Sequence, residues 1–295
     1  MPNLQQSAAW NGPESVHYVD HADRYDLQLA PITEVLLVEA GLEPGQRVLD
    51  VGSGSGVTTL AAAQIASSVL GVDISEPLTE VARQRARDVG NAEFLVADAQ
   101  THRFDSAEFD VIISQLGLMF FDQPEVAFSN LRRALVEGGR IVFTTWRSLG
   151  DNEWLAPVVR AVAEYAEVPD LGGLANGGGM FAMRDDREIV GLLEATGFVD
   201  IAARSISPPL LVAGGGSVAE CAAFLLGTGI VRGLLSRLDD DQRARATGRI
   251  RTELEERHEV GRGVSMGAGV WLVRARAGEP SGHRSPITPP DGRGA

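Results

Sequence analysis

One run of residues, Arg47-Val48-Leu49-Asp50-Val51-Gly52-Ser53-Gly54-Ser55-Gly56, limits what this chain can fold into more than any other. A short apolar strand ends in an acid, breaks into three alternating glycines and opens into a helix-forming segment over 57–66. Glycine, with no Cβ, permits a tight turn and lets main chain approach a ligand closely. A helix start behind such a turn presents unpaired N–H donors. The run therefore reads as a cradle that holds a small ligand against bare backbone.

Spacing narrows the ligand. A dinucleotide fingerprint requires Gly-x-Gly-x-x-Gly. Here the third glycine, Gly56, arrives one position early and Val57 stands in its place. Asp50 is a poor neighbour for a pyrophosphate and a good one for an ammonium group. A P-loop needs a lysine, and this chain has none: all 26 basic residues are arginine. That also excludes Schiff-base and kinase-type lysine chemistry.

Around this loop the pattern alternates. Strands are predicted at 48–51, 68–72, 94–97, 111–114 and 141–146. Helices are predicted at 57–66, after a Ser75 cap with Pro77 in the first turn, and at 124–135, stopped by Gly138-Gly139. Short apolar runs between helices give a parallel sheet covered on both faces, with ligands outside the strands' carboxyl ends. Upstream, 14–29 reads as an amphipathic helix, and Pro31 starts another that ends at Gly41. Beyond Trp146 the reading gives a helix at 151–167, a glycine-rich loop at 171–181, a helix at 186–195 and a strand at 198–206. Ser217-Val218-Ala219-Glu220 has capping-box spacing and opens an apolar helix to Leu235. A charged helix at 239–256 and a strand at 267–277 follow, then a Pro/Gly/Ser-rich stretch read as disordered.

The stretch 48–56 resembles the first motif of class I S-adenosylmethionine-dependent methyltransferases, in their small-molecule branch. Phe109-Asp110-Val111-Ile112-Ile113-Ser114-Gln115 resembles the fourth-strand motif of that family, and 131–146 resembles its helix–Gly-Gly–strand unit. The likeness covers about 45–146 well and the rest weakly. It implies an α/β fold, a doubly wound, seven-stranded, mainly parallel Rossmann-like sheet with helical lid insertions. It divides the chain into an N-terminal helical lid at 1–40, a cofactor-binding domain at 41–277 with insertions at about 150–182 and 208–262, and a tail at 278–295. It implies S-adenosylmethionine as cofactor, held by Asp50, Gly52, Ser53, Gly54 and Gly56. Asp73 would take the ribose hydroxyls, or else only precede a helix cap. Asp98 would accept from the adenine amino group, or else be a turn aspartate, with Ile74 and Ala99 flanking the ring. Ser114, Gln115 and Leu116 would floor the sulfonium.

His17, His21 and Tyr25 fall at i, i+4 and i+8, roughly one helical face, with Tyr18 adjacent. The functional reading is a lid in which Tyr25 meets the methionine part and His17 or His21 serves as base. The plain reading is a surface helix. His-x-x-x-His suits zinc in spacing, but no Glu and no third ligand accompany it, so no metal is expected. Tyr18, Met119, Trp146 and Trp154 are the candidate acceptor contacts, with Trp10 and the run 118–121 alongside, and core packing accounts for them equally well.

With a formal net charge of −14, nucleic acid partners are disfavoured and no basic membrane-binding face is present. One cysteine, Cys221, excludes an internal disulfide. The start of the chain has no signal-peptide pattern and no apolar run has membrane-spanning length, so a cytoplasmic protein, monomer or homodimer, is expected. The expected activity is methyl transfer to a small hydrophobic metabolite. Two readings compete with it: a protein that binds S-adenosylmethionine without methyl transfer, and a nicotinamide oxidoreductase.

Overall fold

The computed structural model describes residues 3–170 and 179–278. The predicted loop at 171–181 lies mostly outside these residues, and the predicted tail lies outside them beyond Gly278. Three helices come first: α1 (Leu4–Trp10), α2 (Pro13–Asp20) and α3 (Ala22–Ala40). Then β1 (Arg47–Val51), α4 (Val57–Ala63), β2 (Ser68–Asp73), α5 (Glu76–Arg85), β3 (Ala92–Val96), β4 (Phe109–Gln115), α6 (Pro124–Ala134) and β5 (Leu135–Trp146) alternate. The second half adds α7 (Ala156–Ala163), α8 (Asp186–Ala195), β6 (Phe198–Ile206), β7 (Pro209–Leu211), α9 (Val218–Gly227), α10 (Gly229–Leu235), α11 (Asp240–Glu256), β8 (His258–Glu259), β9 (Gly263–Gly267) and β10 (Val270–Ala277).

Seven strands form one sheet in the order β3-β2-β1-β4-β5-β10-β6. Pairings from β3 to β5 are parallel, and β10 runs antiparallel to both its neighbours. Side chains alternate across a strand, and this sheet buries both faces. Val48, Val111, Ile113, Val142 and Leu272 pack with Leu36, Ala40 and Ala62 on one side. Leu49, Ile112, Ile141, Phe143 and Val273 pack with Phe128, Leu131 and Ile189 on the other. This is the doubly wound α/β sheet the sequence implies.

Several boundaries differ from expectation. The break near the N-terminus falls at His21, and Pro31 lies inside α3. Packing of the buried Ile32, Leu36 and Ala40 outweighs the one hydrogen bond that proline removes. The helix expected from Ser217 to Leu235 bends by 79° between α9 and α10. Thr228 there is extended and caps its hydroxyl onto the Leu225 carbonyl (2.8 Å), between two glycines that form helix poorly. α4 stops at Ala63, and α7 keeps only eight residues. Leu135 is already extended, so β5 starts before the glycine pair. The closing strand starts at Val270, and residues 263–267 instead join a small sheet in the order β7-β9-β8. β7 and β8, of three and two residues, are too short for any pattern to read. Among the described residues no single helix is long and apolar enough to cross a membrane, and α9 with α10 qualifies only if joined across that bend.

Gly56 fixes how closely α5 and β3 approach the glycine turn. Its φ is +90°, and a Cβ there would lie 2.9 Å from Phe94 Cζ and 3.0 Å from Ala82 Cβ. Gly56→Ala should therefore destabilise the fold by about 2–4 kcal/mol in urea unfolding, combining backbone strain with overpacking. Adding Phe94→Leu should recover part of that loss.

Candidate active site

A cavity of about 530 Å³ opens at the carboxyl ends of β1, β2, β3 and β4. Gly52, Ser53, Gly54, Ser55, Val57 and Thr58 form one wall, with Asp73 and Ile74 beyond β2 and Ala97, Asp98 and Ala99 beyond β3. Gln115, Leu116 and Gly117 supply the floor from the end of β4. The remainder comes from distant sequence: Asn3, Trp10, Tyr18, Tyr25, Asp26 and Gln28 from the N-terminal helices, Trp146 and Trp154, and Thr228, Gly229 and Ile230 from the α9–α10 bend. Sequence reading missed Asn3, Asp26, Gln28 and the bend, because no local pattern marks them.

The N–H groups of Gly52, Ser53, Gly54 and Gly56 are spent internally. Gly52 and Ser53 donate to the Val72 carbonyl (2.8 and 3.2 Å), and Gly56 donates to the Ser53 carbonyl (2.8 Å). Gly54 donates to Asp73 Oδ2 at 2.8 Å. Those four N–H groups are thus committed within the fold, and at these positions the loop offers close approach of main chain. Gly56 itself does not line the cavity; it serves helix–strand packing.

Asp50 does not line the cavity either. Period-two alternation turns it with Val48 toward α4, where it is fully buried and its Oδ2 accepts from Thr58 Oγ1 (2.5 Å) and Thr59 Oγ1 (2.6 Å). Its Oδ1 has no partner. Burial pushes its pKa up to about 6, against the two threonine hydrogen bonds, and the neighbouring Asp73 adds to the rise. Ser114 is likewise absent from the wall: its hydroxyl donates to the Val51 carbonyl at 2.7 Å and ties β4 to the end of β1.

Asp73 and Asp98 do face the cavity. Asp73 also accepts from the Ser75 N–H (2.8 Å), and its pKa is raised by burial. Asp98 Oδ1 accepts from Asn3 Nδ2 (2.9 Å) and from the Gln100 N–H (3.0 Å). A carboxylate oxygen has two lone pairs, so both acids retain acceptor capacity. Ser53 Oγ and Gln115 Oε1, on lining residues, are buried with no protein partner. Trp10, Tyr18, Tyr25, Phe120, Phe121, Trp146 and Trp154 provide aromatic walls together with Met119. Among the described residues no arginine or histidine lines the cavity.

His17 and His21 therefore do not take the place expected of a base. The helix break at His21 turns them away from the cavity: His17 Nδ1 lies 3.0 Å from the Tyr25 hydroxyl, and both rings pack against Phe224 (5.2 and 5.7 Å). Burial lowers the His17 pKa, helped by the charge of His21. Tyr18 and Tyr25 stack at 3.9 Å, and their rings do reach the cavity.

A family model described as a methyltransferase domain matches residues 49–143. An uncharacterized protein of Mycobacterium tuberculosis is 35% identical over 132 residues, 44% of this chain and 48% of that protein. Demethylmenaquinone methyltransferase of Clavibacter sepedonicus is 37% identical over 98 residues, 33% of this chain and 40% of that protein. The YcgJ protein of Bacillus subtilis shares the fold, with a TM-score of 0.56 at 18% identity over 84% of this chain and 98% of that one. The matched span carries a methyltransferase domain. It spans about half the length of the first curated relatives it matches. The matched span holds the glycine loop, Asp73, Asp98 and Gln115. Most of the aromatic wall lies outside it, on Trp10, Tyr18, Tyr25, Trp146 and Trp154.

The raised pKa of Asp50 has a stability consequence. The folded protein binds this proton more tightly than the unfolded chain. Its stabilising effect is therefore complete in acid and is lost as pH rises from near 4 to about 6. Compared with Asp50→Asn, the wild type should lose stability on the order of 3 kcal/mol across that window and run parallel above it. Urea midpoints of both proteins at a series of pH values check this. Parallel curves below pH 6 would contradict it.

Proposed function

We propose that this chain transfers a methyl group from S-adenosylmethionine to a small, hydrophobic, uncharged acceptor by in-line displacement. The observation that carries the reading is one cavity that pairs carboxylates at two successive strand ends with an aromatic wall and no described cationic side chain. The residues fit a cationic nucleoside. Asp73 and Asp98 face inward with spare acceptor capacity, and Ser53 Oγ and Gln115 Oε1 are buried polar atoms without protein partners. Orphaned buried polar groups are costly, so a polar ligand beside them is favoured.

When bound, S-adenosylmethionine supplies a methyl group already activated on a positively charged sulfur. Asp73 accepts the ribose hydroxyls and Asp98 the adenine amino group, with Ile74 and Ala99 against the ring faces. Gly52, Ser53 and Gly54 allow close approach of main chain, Tyr25 covers the methionine part, and Gln115 and Leu116 lie under the reacting centre. Tyr18, Met119, Trp146 and Trp154 hold the acceptor. Such a cavity works by placing nucleophile and methyl in line and by excluding water. An acceptor carrying phosphate or carboxylate would meet Asp26, Asp73 and Asp98 with no described opposing cation, which disfavours it.

Isothermal titration with S-adenosylhomocysteine tests the assignment. Asp73→Ala should weaken binding about ten- to hundredfold, as expected for hydrogen bonds to a charged group. Equal affinity in wild type and variant would remove the ribose role. Incubation with methyl-labelled cofactor and a panel of neutral aromatic hydroxyl and amine acceptors reads the transfer. Tight binding with no label moved to any acceptor would favour a binding protein over an enzyme.

A further inference from the structure

We infer that Asp26, near the start of α3, is the carboxylate that receives the ammonium group of the cofactor's amino-acid arm. The inference rests on the S-adenosylmethionine reading and assigns a role that the sequence pattern had given to Asp50. Asp50 cannot fill it, being fully buried toward α4 beneath Thr58 and Thr59. Asp26 is partly buried, lines the cavity, and accepts from Ser55 Oγ of the glycine loop at 3.4 Å.

Its orientation is set from behind. Arg85 NH1 pairs with Asp26 Oδ2 at 2.8 Å and donates to the Ser55 carbonyl at 3.2 Å, while Arg85 NH2 pairs with Asp23 at 2.5 Å. Arg85 does not line the cavity. The link from α3 to α5 therefore uses Oδ2, and Oδ1 is left with one long contact. Charge points the same way. The cavity carries Asp26, Asp73 and Asp98 and no described cationic side chain, and the loop's N–H groups at Gly52, Ser53, Gly54 and Gly56 are spent internally. A site of that composition selects a cationic group over an anionic one beside the loop. Asp73 and Asp98 belong to the ends of β2 and β3, which leaves Asp26 for the ammonium group.

Paired ligands test this. S-adenosylhomocysteine carries the amino-acid arm; methylthioadenosine keeps the thioether nucleoside and lacks it. Affinities of both are measured by titration calorimetry on wild type, Asp26→Asn, Asp26→Ser and Asp26→Glu, so that one folded uncharged variant suffices. The expected result is at least a tenfold loss for S-adenosylhomocysteine in the uncharged variants, with methylthioadenosine unchanged and Asp26→Glu recovering part of the loss. Equal losses for both ligands would show that Asp26 acts only through packing with Arg85 and would overturn the inference, as would no loss for either. Wild type that binds neither ligand would instead overturn the cofactor reading, and this assignment with it.

Discussion

The cavity exists because the ends of β1 and β4 touch main chain to main chain. A Cβ on Gly52 would lie 2.9 Å from Gly117 Cα, and one on Gly117 would lie 2.8 Å from the Val51 carbonyl oxygen. Only glycine at both positions lets the two turns leave the sheet side by side. Ser114 locks the approach with its hydrogen bond to the Val51 carbonyl. The φ of +59° at Leu116, unusual for a residue with a branched side chain, belongs to the same corner. With the floor set this way, whatever follows β2 and β3 is delivered to the rim. That is why Asp73 and Asp98 share a space although 25 residues separate them in the sequence.

Four aspartates near this floor do different work because they differ in burial and partners. Asp50 is sealed under α4, and its cost in desolvation is offset by two threonine hydroxyls rather than by any ligand. Asp73 is half a structural residue, capping Gly54 and Ser75, and half a wall of the cavity. Asp98 is tied to Asn3 and Asp26 to Arg85. Each rim acid is thus oriented by its neighbours in the fold and also lines the cavity. The net result is a strongly acidic chamber in which a cationic ligand relieves repulsion on binding.

The legible part of the molecule was the part whose signals are local. Alternating apolar runs gave the parallel strands, Ser75 and Ser217 gave their caps, and the glycine run gave the position of the cavity. The Asp50 assignment failed because spacing alone does not say which face of a strand a side chain takes when the chain turns at its end. The histidine assignment failed at the break after α2, which no proline or glycine marks. The small sheet of β7, β8 and β9 was out of reach because its strands are too short for periodicity. Asn3, Asp26 and Thr228 reach the site only through tertiary contacts with elements distant in the sequence, and no spacing rule encodes such contacts.

The two halves of the cavity come from different parts of the chain. The family model ends at residue 143, and the strand ends that hold Asp73, Asp98 and Gln115 lie within it. The aromatic wall is built otherwise. Trp10 meets Tyr18 edge-on at 5.1 Å and Phe120 at 5.5 Å, and Tyr18 stacks on Tyr25. These contacts run from α1 through α2 and α3 to the turn after β4, so the N-terminal helices and the turn at Leu118–Phe120 form one packed unit. A change in any of these rings alters the shape of this side of the cavity without touching the glycine floor. Conversely, displacing α1 breaks the Asn3–Asp98 contact and opens the wall at the same time. Access to the strand-end acids and the shape of the aromatic wall are therefore linked through how the first three helices seat on the sheet.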